Sequence, residues 1–195
     1  MRVILAIILS AVLSLAAFAQ PAAEKPIEKP KVEPKKEAVK NPQVLMRTSM
    51  GDILIEVFEK ETPIHAKNFL KRVDEGKYDS IIFHRVVPNF VIQGGDPTGT
   101  GYGQPDEGRL ADEKSPYSNT RAYISMARSA AGASPSQFFI NLKDNSFLDK
   151  QNFSVFAKVI EGMDVVEKIS QVPIEPPRDG KPKTPVYMIK VSRKE

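Results

Sequence analysis

The chain has no cysteine and no tryptophan, and only two histidines among its 195 residues. Without cysteine there is no disulfide framework, no thiolate nucleophile and no thiolate metal site. The two histidines, His65 and His84, lie far apart and show no metal-ligand spacing, so no metal is expected. His65 reads as a surface or capping residue on a helix, and His84 as a hydrogen-bonded structural residue within a strand. There is no G-x-S-x-G elbow to carry a hydrolase serine. The glycines of Gly99-Thr100-Gly101-Tyr102-Gly103 fit neither nucleotide-binding spacing; this stretch reads as a mobile surface loop, and no cofactor is expected. An excess of one charge is also missing. The 28 Lys and Arg are interleaved with 24 Asp and Glu, without a basic stripe holding aromatic residues, so no nucleic-acid surface is indicated.

Long apolar runs are absent too, except at the start. Arg2 precedes an apolar stretch over residues 3–15, and Ala17-Phe18-Ala19 then places small residues where a signal peptidase reads them. Residues 1–19 are therefore expected to be a signal peptide cleaved after Ala19, with the mature protein periplasmic or secreted and not stably inserted in a membrane. The run is near the shortest length that spans a bilayer, and with no cysteine the mature start cannot be lipidated. Residues 20–42 carry Pro26, Pro30 and Pro34 among Lys and Glu. Proline removes backbone donors, and so few apolar residues cannot form a core, so this segment is expected to be a disordered linker. Residues 43–195 form the globular domain.

That domain opens with two apolar runs around Gly51-Asp52, a β-hairpin signature. Thr62-Pro63 reads as an N-cap followed by proline at the first helical position, with Ala66, Phe69, Leu70 and Val73 on one helical face. Short β-rich stretches follow at 81–87, 90–94, 122–127, 137–142, 154–160 and 185–191. Gly162 precedes a second amphipathic helix bearing Val165, Val166, Ile169 and Val172. Many strands that do not alternate with helices argue for a mainly β fold: a closed antiparallel barrel whose two helices cover its open ends. No exposed heptad or long apolar face appears, so a monomer is expected.

Two blocks stand out against this background. One is Phe83-His84-Arg85-Val86-Val87-Pro88-Asn89-Phe90-Val91-Ile92-Gln93-Gly94-Gly95-Asp96; the other joins Ser125-Met126-Ala127-Arg128 to Ser136-Gln137-Phe138-Phe139-Ile140. Together they closely resemble the cyclophilins over residues 43–191. The resemblance implies an eight-stranded antiparallel barrel capped by two helices, and catalysed rotation about the peptide bond preceding proline in polypeptide substrates. It assigns the catalytic donor to Arg85 and the proline pocket to Phe90, Val91, Phe139 and Leu148. Gln93 and Gln137 fall where the family hydrogen-bonds the substrate backbone or holds the arginine, and Ala127-Arg128 where a strand pairs with the bound peptide. Phe138 and Phe139, being adjacent on a strand, point to opposite faces; the resemblance places Phe139 in the cleft.

Three departures from the family pattern are visible. Phe147 stands at the usual tryptophan, Phe153 at the usual pocket histidine after one extra residue, and Val91 at a commoner methionine. The first removes an indole donor and implies weaker binding of cyclosporin-type inhibitors. All three resemble the bacterial exported branch. A module that only binds proline-containing segments would use the same cleft, but would not need Arg85.

Overall fold

The computed structural model describes residues 40–103, 108–175 and 180–194; the expected signal peptide and residues 20–39 of the expected linker lie outside the described residues. The strands are β1 Gln43–Thr48, β2 Gly51–Val57, β3 Ile81–Ile82, β4 Arg85–Val87, β5 Val91–Gly94, β6 Tyr123–Ser129, β7 Gly132–Asn141, β8 Val155–Glu161 and β9 Tyr187–Arg193. Helix α1 spans Pro63–Asp74, helix α2 Met163–Ser170, and a 3-10 helix Ser146–Gln151. All nine strands join one sheet in the order β3-β9-β1-β2-β8-β6-β7-β5-β4, with every pairing antiparallel.

The period-2 pattern decides which face turns inward. Val44, Met46 and Thr48 of β1 are buried, and Gln43, Leu45 and Arg47 between them are not. Thr48 Oγ1 donates to the Gly51 carbonyl at 2.6 Å and accepts from Met50 N at 3.1 Å, fastening the hairpin turn. Helix α1 lays Ala66, Phe69, Leu70 and Val73 on the sheet. There Phe69 meets Tyr78, Phe138 and Phe156 with ring centroids 5.2, 5.7 and 5.1 Å apart. Helix α2 buries Val165, Val166 and Ile169.

The sheet's two edge strands, β3 and β4, are separated in sequence only by Phe83 and His84. Chain connectivity therefore forces the edges together, and the sheet curls into a barrel whose seam this dipeptide crosses. The expected single strand over 81–87 is split: Ile81 and Ile82 pair with β9, whereas Arg85 to Val87 pair with β5. This makes nine strands where eight were expected. Phe83 N donates to Val186 O at 2.9 Å, continuing the β3–β9 pairing into the crossing, and Val86 N of β4 donates to Gly180 O at 2.6 Å.

Thr62 stands at the N-cap of α1, but its hydroxyl donates to the Phe58 carbonyl at 3.1 Å instead of capping the helix. The free first-turn N–H groups of Ile64 and His65 donate to the Glu113 carboxylate, at 2.9 and 3.1 Å. The segment bearing Glu113 also covers His65, which is 1% exposed with Nε2 3.2 Å from the Ala111 carbonyl. His65, expected as a surface or capping residue, is therefore buried. Glu113→Ala should destabilise the fold by about 0.5–2 kcal/mol, the range for losing an N-cap acceptor. The shift in the urea midpoint at unchanged slope measures it.

Candidate active site

The site grows from the outward faces of β4, β5, β6 and β7. Antiparallel register sets Arg85 opposite Gln93, Gln93 opposite Phe139, and Phe139 opposite Ser125. Phe138 points inward, fully buried, with its ring edge-to-face against Phe69 and Tyr78. Its neighbour Phe139 joins a separate small apolar cluster with Val91 and Leu148, against which Phe90, Ala127 and Phe153 pack. Gly95 lets the end of β5 pass this close to β7: at φ 85°, a Cβ there would sit 2.3 Å from the Ser136 carbonyl oxygen.

The second cluster walls a cavity of about 270 Å³ lined by Arg85, Phe90, Val91, Gln93, Ala127, Arg128, Phe139, Leu148 and Phe153. The edge-to-face ring of Phe153 lies 5.6 Å from that of Phe139. Two of the expected residues stand apart from the lining. Phe147 lies at the rim, 52% exposed, its ring stacked near Phe90 at 6.2 Å. Gln137 is buried behind Gln93.

Arg85 lines the cavity, with Nη1 donating to Gln93 Oε1 at 3.4 Å. Burial lowers its pKa, yet a guanidinium starts so high that it stays charged. Gln93 Nε2 donates to Gln137 Oε1 at 3.1 Å, and Gln137 Nε2 donates to the carbonyls of Gly101 and Gly103 at 3.2 and 3.0 Å. The Gly99–Gly103 stretch, expected to be a mobile surface loop, is thus tied to the site from below; it is also bonded to the buried carboxylate of Asp96.

Arg128 is committed on both sides, to Asp112 at 3.1 and 3.2 Å and to the Gln151 carbonyl at 2.9 Å. Its backbone has a different use. Pairing of β6 with β8 ends at Ser125, and the ladder with β7 shifts register between Met126 and Arg128. Beside the cavity, β6 therefore keeps strand geometry with one edge unclaimed among the described residues, which suits an added extended peptide.

Sequence reading missed the amides that hold the walls. Asn145 Nδ2 donates to the Phe90 carbonyl at 3.0 Å, and Asn119 Nδ2 to the Phe153 carbonyl at 2.7 Å. Asn141 links them, donating to Asn119 Oδ1 at 3.1 Å and accepting from Asn145 at 2.9 Å. All three are fully buried. A polar amide closing the apolar run Phe138-Phe139-Ile140-Asn141 was the one available signal, since such groups are buried only when bonded.

His84 is buried, but neither ring nitrogen has a hydrogen-bond partner among the described residues, contrary to the bonded role expected for it. Burial lowers its pKa, opposed by Asp96 and reinforced by Arg85, so the imidazole is neutral at pH 7. Among the described residues, no group of three or more His, Asp or Glu side chains could hold a metal ion. A cationic donor thus stands beside the apolar wall of a small cavity and next to an open strand edge.

Residues 43–193 match the family described as cyclophilin type peptidyl-prolyl cis-trans isomerase/CLD. A peptidyl-prolyl cis-trans isomerase of Acinetobacter baylyi is 42% identical over 168 residues, covering 80% of this chain and 88% of that protein. Peptidyl-prolyl cis-trans isomerase A of Dickeya dadantii is 40% identical over 144 residues, covering 71% and 76%. Among solved structures, a Cryptosporidium parvum cyclophilin type isomerase crystallised in the presence of the dipeptide Ala-Pro superposes with TM-score 0.70 at 30% identity, covering 78% of this chain and 99% of that one.

Proposed function

Because the chain belongs to the cyclophilin type of peptidyl-prolyl cis-trans isomerase, we propose that the cleft at Arg85 is where it rotates X-Pro bonds, in proteins outside the cytoplasm. Amide resonance sets a barrier of about 20 kcal/mol to that rotation. At the twisted transition state the resonance is lost, and the proline nitrogen regains a lone pair. A donor aimed at that lone pair stabilises the transition state and neither planar ground state. Arg85 is that donor in this reading. Phe90, Val91, Phe139, Leu148 and Phe153 hold the proline ring, Gln93 holds Arg85, and the free backbone edge at Ala127-Arg128 binds the extended chain. Phe147 shields the rim and, having no indole N–H, leaves cyclosporin-type inhibitors weakly bound.

The observation that carries this reading is the placement of a cation without a carboxylate partner among the described residues, hydrogen-bonded to Gln93 at 3.4 Å, in the lining of a cavity of about 270 Å³ whose apolar walls are Phe90, Val91, Phe139, Leu148 and Phe153. The Ala-Pro dipeptide named with the Cryptosporidium structure supports a proline-sized occupant. The signal-like layout of residues 1–19 supports export, as do Val91, Phe147 and Phe153, the departures that resemble the bacterial exported branch. Mass spectrometry of the protein from bacterial fractions tests the export: the mature chain should begin at Gln20 in the periplasm or medium. A full-length chain confined to the cytoplasm would refute it.

A further inference from the structure

Asp96 closes the fourteen-residue block that begins at Phe83, yet it touches neither the cavity nor Arg85. Its side chain is fully buried, and five donors converge on it. Thr98 N and Thr98 Oγ1 bind one oxygen at 2.8 and 2.9 Å. Thr100 Oγ1, Gly101 N and Gly103 N bind the other at 3.4, 2.5 and 3.1 Å. Burial raises the pKa, but the bonds from Thr98, Gly103 and Gly101 outweigh it, and the net shift is downward. The carboxylate is charged at neutral pH and wraps the chain from 98 to 103 around itself. Gly103 admits this closure because a Cβ there would meet Asp96 Oδ1 at 2.0 Å and Thr98 Oγ1 at 2.4 Å.

The closed loop presents two carbonyls, of Gly101 and Gly103, to one partner, the Gln137 amide nitrogen. Carbonyls only accept, so the Gln137 NH2 must face the loop and its Oε1 must face Gln93. Gln93 must then offer its NH2 to Gln137 at 3.1 Å, which turns its own Oε1 toward Arg85 Nη1 at 3.4 Å. Each step fixes the donor-acceptor sense of the next. If the loop opened, either amide could rotate, and Gln93 could point N–H groups at a guanidinium that also only donates.

We propose that Asp96 is a positioning residue for Arg85, acting through the 98–103 loop, Gln137 and Gln93 to keep an acceptor facing the guanidinium. This rests on the reading of Arg85 as the catalytic donor. The conservative change is Asp96→Asn, which keeps the shape but puts an NH2 where backbone N–H groups point. It should lower kcat by about 10-fold with KM moved by less than about 2-fold, and should shift the Gln93 and Gln137 side-chain amide resonances in nitrogen-edited NMR.

A double-mutant cycle separates relay from general damage. In a Gln93→Met background the chain is already cut, so Asp96→Asn should lower kcat by less than about 2-fold there. Equal losses in both backgrounds, or a lowered Tm with kcat and the amide resonances unchanged, would overturn the proposal. Gly103→Ala forces the same loop open without altering a charge, and takes the place of Asp96→Asn in the cycle should that variant not fold. If Arg85→Ala left exchange unchanged, the reading of Arg85 would fall, while the amide shifts would still report whether Asp96 orders Gln137 and Gln93.

Discussion

Arg85→Ala should lower kcat/KM for an Ala-Pro peptide by roughly 30- to 1,000-fold, equivalent to about 2–4 kcal/mol of transition-state stabilisation, by analogy with the loss of other oriented donors. Peptide affinity should move by less than about 3-fold, because the planar ground states offer the guanidinium no nitrogen lone pair. The loss should appear in kcat, measured by NMR exchange, with affinity measured separately by calorimetry. Arg85→Lys should recover only part of it. An ammonium keeps the charge but not the planar fork, so it cannot bond Gln93 and aim at the proline nitrogen from one rigid group. Retention of full activity by the alanine variant would remove Arg85 from the chemistry.

The second large effect divides two adjacent side chains. Phe138→Ala should cost about 3–5 kcal/mol of stability, the range for emptying a buried aromatic site. Phe138 is fully buried against Phe69 and Tyr78, so no solvent can fill the space it leaves. Against a usual total of about 5–15 kcal/mol, that loss leaves a marginal domain. Phe139→Ala should be milder in stability, because its surroundings already open to the cavity mouth. Its larger effect should be on binding, about 1.5–3 kcal/mol from lost contact with the proline ring. Urea unfolding and peptide titration of the two variants should therefore rank them in opposite orders. A Phe139→Ala variant that is severely destabilised yet binds peptide normally would place that ring in the core.

The contrast between these neighbours was legible in the sequence, since alternation on a strand needs no partner to be known. So were the Gly51-Asp52 hairpin and the apolar face of α1, which depend on spacing alone. The seam was not. Residues 81–87 form one strand-like run, and only the pairing of its halves with β9 and β5 shows the break. The same reason hid Glu113 as the cap of α1 and left His65 apparently at the surface: their partners lie 48 and 46 positions away. At the site, most of the lining followed from the family motif, whereas the supports did not. Asn119, Asn141, Asn145 and Asp96 act through carbonyls and loop amides, whose positions exist only after folding. The glycine-rich stretch read as a loop from its composition, which gives no sign that Gly101 and Gly103 donate to the buried carboxylate of Asp96.

In the proposed mechanism Arg85, hydrogen-bonded to Gln93 at the cavity, accelerates rotation about the X-Pro bond. Two-dimensional exchange NMR of an Ala-Pro peptide with a catalytic amount of the protein tests it most directly. At mixing times of about one second the peptide alone shows no exchange, since the uncatalysed rotation takes tens of seconds. The wild-type protein is predicted to produce cis–trans cross-peaks, and Arg85→Ala at the same concentration to produce almost none. A wild-type protein that binds the peptide without generating cross-peaks, or an alanine variant that generates them equally well, would contradict the account.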